Sequence, residues 1–78
     1  MNPKYVVYED HFGTTIAIIF SSLIDHCAVI PGCKQVLGAG FCKYRSDGSV
    51  ECYGKSVTLN TPSRGDEDAA ELRRIILG

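Results

Sequence analysis

Asp25-His26-Cys27 brings together the residue types of a thiol nucleophile, its base and an orienting carboxylate. Neighbours on a helix diverge by ~100° each, so His26 would not face Cys27. Pairing His26 with Cys33 or Cys42 instead needs tertiary contacts that spacing alone does not supply. The plainer reading is a buried cysteine beside a surface histidine. Glu9-Asp10-His11 is the best acid–base cluster, yet adjacent strand residues point to opposite sides, and a polar hairpin loop explains the three as well. No catalytic residue is expected.

Cys27, Cys33, Cys42 and Cys52 lack the close pairs of zinc ribbons and redox motifs. Free buried thiols are the default expectation, with no cofactor and no metal; disulfides, and a metal-stabilised module using these cysteines with His26, are the alternatives. Gly38-Ala39-Gly40 resembles a phosphate loop only in composition. Nucleotide loops follow a strand and open a helix, whereas this pair falls inside an expected strand, where glycine marks the close approach of a helix or another chain. Arg64-Gly65-Asp66 spells an adhesion tripeptide, but helix capping accounts for it. Asn60-Thr61-Pro62 is no glycosylation site, because a proline stands third.

These residues must be positioned by a small frame. The 78 residues make one domain, 1–78, and a chain of this length buries only about two-thirds of its unfolded surface. A hydrophobic fraction of 45% with 22% charged residues argues against disorder. The net charge of −1 offers no global attraction to nucleic acid or to an anionic membrane. No segment has the ~18 apolar residues of a membrane span. The expected setting is the cytoplasm, with a folded, unprocessed amino terminus.

Tyr5–Tyr8 and Thr14–Phe20 are β-branched and aromatic, separated by Asp10-His11-Phe12-Gly13. A four-residue loop there pairs Glu9 with Thr14 and Val7 with Ile16. One face then carries Tyr5, Val7, Ile16, Ile18 and Phe20; Ala17 and Ile19 suit the second strand to a central place. Ser22 and Asp25 have capping spacing, and Leu23, Cys27 and Ile30 helical spacing, for a helix of about two turns stopped by Pro31-Gly32. Asp47-Gly48 predicts a two-residue turn between Val36–Arg45 and Ser49–Leu59, with a bulge near Gly54. Ser63 or Asp66 caps a last helix with acids at its start, Arg73 and Arg74 at its end, and Gly78 as a stop. The predicted fold is α+β: a four-stranded, largely antiparallel sheet in β-β-α-β-β-α order with helices on one face.

The two-residue turn sets Lys43 opposite Cys52 and turns Cys42, Tyr44, Tyr53 and Lys55 outward, with Glu51 opposite Tyr44. Two diagonal tyrosines supply contact area at little entropic cost, so Tyr44, Tyr53, Cys42, Glu51 and Lys55 form the expected partner-binding surface. Ordinary cross-strand packing of tyrosines is the competing account. Lys43 and Arg45 fall on the opposite side in this register, which counts against a nucleic-acid-binding face.

Ala39-Gly40-Phe41-Cys42, Cys52-Tyr53-Gly54-Lys55-Ser56 and Ser63-Arg64-Gly65-Asp66-Glu67-Asp68-Ala69 resemble short proteins carried by bacteriophages and prophages, which join a strand pair to a capped terminal helix. The resemblance covers the carboxy-terminal half and assigns no residue roles. It implies a mobile-element origin; short phage proteins of this size include anti-CRISPR inhibitors, so a phage-type accessory protein of that kind, in the host cell's cytoplasm, is the expectation, and the lack of a catalytic constellation argues against an enzyme. Such a protein would bind a host protein complex and occlude it, and a homodimer is among the assemblies expected.

Overall fold

Tyr5-Val6-Val7-Tyr8 is apolar on both sides, and all four side chains are buried. A strand that buries both faces must lie inside a sheet covered on both sides. A computed structural model of the chain, describing residues 2–30 and 33–77, places it so. Strand β1 (Lys4–Asp10) lies between β2 (Thr15–Phe20) and β3 (Cys33–Tyr44), and β4 (Val50–Tyr53) forms the far edge. The order is β2-β1-β3-β4 and every pairing is antiparallel. β2 is therefore an edge strand, not a central one. Pro31, Gly32 and Gly78, read as helix stops, lie outside the described residues.

Both hairpins are one residue out of the expected register, for the same reason. In the first, Asp10 N–H donates to Thr14 O (3.0 Å) and Gly13 N–H to Asp10 O (3.1 Å), leaving a loop of His11-Phe12-Gly13. In the second, Arg45 N–H donates to Ser49 O (2.8 Å) and Gly48 N–H to Arg45 O (3.0 Å), leaving Ser46-Asp47-Gly48. Each loop is a turn closed by a left-handed glycine, Gly13 at φ 81° and Gly48 at φ 87°. Aspartate supports both: Asp10 Oδ1 accepts from the amides of Phe12 and Thr14, and Asp47 Oδ1 from the amide and hydroxyl of Ser49. Glu9 thus pairs with Thr15, Val7 with Ala17, Cys42 with Cys52 and Tyr44 with Val50.

A slip of one residue turns each strand over relative to its partner. On one side of the sheet lie Tyr5, Val7, Ala17, Cys42 and Cys52, packed beneath Leu72 and joined by Ile19, Leu37, Val50, Ala69 and Ile75. On the far side Val6, Tyr8 and Ala39 meet Ile16, Ile18, Phe20, Val29, Ile30, Val36 and Leu59. The expected grouping of Tyr5 and Val7 with Ile16, Ile18 and Phe20 is split between the two. Phe41, opposite Lys4, stands with the far side.

The covers differ from the expected pair of helices. Helix α1 (Asp66–Leu72) roofs one side and runs into a wider turn at Arg73–Leu77. The expected two-turn helix reduces to one tight turn, His26–Val29, whose Val29 contributes to the opposite side. Asp25 precedes it without a side-chain cap, and Leu23 is 92% exposed, so the Leu23-Cys27-Ile30 stripe is no helical face. Burying His26 against the sheet prevails over the capping signal. β4 stops at Gly54 where a bulge was expected, and β5 (Lys55–Ser56) pairs with β6 (Thr61–Pro62) as a separate ribbon.

Candidate protein-binding face

Asp68, an ionisable side chain, is fully buried in the first turn of α1. Tyr5 Oη donates to its Oδ2 (2.5 Å), Arg64 N–H donates to the same oxygen (2.8 Å), and Arg64 Nε donates to Oδ1 (2.7 Å). A phenol carries one proton, here given to the carboxylate, so the Ser63 hydroxyl 2.7 Å away donates to the phenol oxygen. The knot ties the last helix to the central strand; the N-cap is Gly65, without a side-chain cap bond, so neither Ser63 nor Asp66 caps the helix as expected. Burial and the Asp68 carboxylate push the Tyr5 hydroxyl well above its ordinary value. Burial first, then Cys42 and Asp68, push the Cys52 thiol up to about 12, and burial raises Cys42 as well. Such thiols are protonated and poor nucleophiles at neutral pH.

The candidate catalytic groups do not converge. Asp10 is occupied by loop amides, and His11 is exposed beside it. The expected buried cysteine beside a surface histidine is reversed: His26 is 3% exposed and Cys27 is exposed. His26 Nε2 is 3.0 Å from Gly40 O, which occupies it structurally. Cys42 and Cys52 lie on the α1 side, whereas His26 packs on rings of the far side. Among the described residues no three His, Cys, Asp or Glu side chains gather as a metal set; the Cys33 side chain lies outside them.

The five expected partner-binding residues are dispersed. Cys42 is fully buried and belongs to the core. Tyr44 is 57% exposed but stands on the α1 side, opposite Val50, whereas Tyr53, 39% exposed, stands on the far side opposite Phe41. Glu51 shares the far side with Tyr53 and faces Lys43, not Tyr44. Lys55 lies past Gly54 in β5, exposed and opposite Pro62. Gly38 and Gly40 are buried and offer no flat outer patch.

The far side does assemble a coherent surface that the shifted register had concealed. Lys4 is opposite both Phe20 and Phe41, and Phe41 is opposite Tyr53, so one row crosses all four strands as ring, cation, ring, ring. His26 sits against this row, edge-on to Phe20 at 5.2 Å and to Phe41 at 6.5 Å. Tyr53 stacks on Phe41 at 5.9 Å and 26°, and Asn2 Nδ2 donates to its hydroxyl at 2.6 Å. Lys4 Nζ donates to Ile24 O at 3.0 Å. Farther along the hairpin Glu51 bridges Lys43 (3.2 Å) and Arg45 (3.4 Å), and Lys43 above all holds its carboxyl below the ordinary range. The patch is aromatic at one end and charged at the other. No protein-family model matches this chain, and neither does a curated protein or a solved structure.

Proposed function

We propose that this chain is a binding protein that acts by laying the far side of its β3–β4 hairpin on another protein. One observation carries the reading: Tyr53 is 39% exposed yet held rigidly, by stacking on Phe41 and by the hydrogen bond from Asn2. A half-exposed ring fixed before binding loses little freedom on contact, which is the physical character of an interface anchor. The Lys43–Glu51–Arg45 chain beside it is suited to a polar rim. The likeness of the carboxy-terminal half to short phage proteins supports a host protein complex as partner, with inhibition by occlusion. Affinity capture from a bacterial lysate tests the face with two variants. Tyr53→Ala should lose the partner, weakening binding by about 2 kcal/mol, and Tyr44→Ala should keep it. Adding purified protein to the captured complex should then suppress its activity. Equal capture by both variants defeats this assignment.

A second reading draws on the same face. Lys4, Lys43 and Arg45 share a side with Phe41 and Tyr53, an arrangement on which single-stranded bases can stack. Glu51 offsets part of that charge. Binding of a short oligonucleotide that falls steeply with salt would favour this reading over the first.

A further inference from the structure

β2 is an edge strand whose sequence lacks the usual protection, although the turn after α1 lies against it and Ala17 is 7% exposed. Thr15-Ile16-Ala17-Ile18-Ile19-Phe20 contains no charge, proline or glycine, and its pairing with β1 has no bulge. Five of its six residues are β-branched or aromatic, the composition that pairs most readily with another strand. The opposite edge, β4, is guarded: it spans four residues, carries Glu51 between Lys43 and Arg45, and ends at Gly54, φ 77°.

The direction of each backbone group on β2 follows from the first hairpin. Asp10 and Thr14 are a hydrogen-bonded pair, and such pairs alternate along an antiparallel ladder. Ile16, Ile18 and Phe20 therefore bond inward to Tyr8, Val6 and Lys4. Thr15, Ala17 and Ile19 turn their N–H and C=O outward. Cys42 N–H donates to Pro3 O on the other flank of β1, as the same alternation requires. Among the described residues nothing bonds to the outward groups of these three.

We propose that β2 is the contact between two copies of this chain, joined antiparallel about a two-fold axis at Ala17 into one eight-stranded sheet. In that register Ala17 faces Ala17, and Thr15 faces Ile19 of the second copy, so every outward donor meets an outward acceptor. Ile16 then lies opposite Ile18 of the second copy on the far side. No charged residue of β2 meets another, so self-pairing carries no like-charge penalty. The wide turn after α1 lies against β2; its Ile75 packs into the core while Ile76 stays 43% exposed. Self-pairing would bring both Ile76 side chains toward the axis. The inference stands apart from the Tyr53 face, which is on the other side of the sheet from α1.

Sedimentation combined with amide hydrogen exchange on the intact chain tests it. The expected result is a particle of twice the chain mass, in which the amides of Thr15, Ala17 and Ile19 exchange as slowly as those of Ile16 and Ile18. Dilution should halve the mass and release those three amides alone. Thr15→Pro removes one outward N–H and no inward one, so it should give a folded monomer with unchanged circular dichroism. A monomer at every concentration overturns the inference. So does a dimer in which the three amides exchange rapidly, and these wild-type measurements decide even if the proline variant does not fold.

Discussion

Gly38 and Asp68 occupy a single space. A Cβ at position 38 would stand 2.1 Å from Asp68 Oδ2 and 2.6 Å from its Cγ, and that carboxylate is held by Tyr5 and Arg64 and cannot swing away. Gly38→Ala should therefore cost about 3 kcal/mol in denaturant unfolding, the upper end for overpacking, because it also disturbs a buried charge. A change below half a kilocalorie would show that the knot yields. Asp68 was hidden in the sequence for a definite reason. It belongs to an acidic run whose position at a helix start already explains it, and nothing local says that the third acid turns inward. The glycine opposite was the available signal: its reading as a site of close helix approach was sound, and the residue that approaches is the buried acid.

At the level of strands and loops, strand existence was legible and register was not. Asp47-Gly48 does mark the second hairpin, but the glycine closes a three-residue loop instead of forming half of a two-residue one. Hydrophobic pattern could not correct the error, since β1, β2 and β3 bury apolar residues on both sides and either parity looks acceptable. The same slip misplaced Tyr44, Cys42 and Lys43, and so the whole expected surface. Its remedy lies in the flanking residues: Cys42 opposite Cys52 buries two small apolar groups together, while Lys43 opposite Glu51 pairs charges. Gly48→Ala forces a side chain into the left-handed region and should lower stability by about 1 kcal/mol with the fold retained, measured by thermal melting. A neutral substitution would mean that the loop adopts another closure.

For the molecule as a whole, the two-sided core decides how it responds to alkali. Tyr5, Cys42 and Cys52 all have values raised by burial, so the folded state keeps protons that the unfolded chain releases. Their contribution is complete below the unfolded thiol value of about 8.5 and is lost as pH rises through the folded value of Cys52, about 12. The midpoint temperature should hold near neutrality and decline from about pH 9 upward, more gently in Cys52→Ala. A flat profile to pH 11 would contradict the burial of these groups. The three-residue loops carry a further consequence. Surface loops usually absorb insertions and deletions without harm, but here each loop is the phase reference for a ribbon with two working sides. Removing Ser46 while Gly48 still closes a three-residue loop would draw Arg45 into the loop, pair Tyr44 with Ser49 and turn β4 over, offering Glu51 and Tyr53 to the core and Val50 and Cys52 to the far side. Length at these two tips is therefore as constrained as identity in the interior, and neutral drift should change their residues while keeping their number.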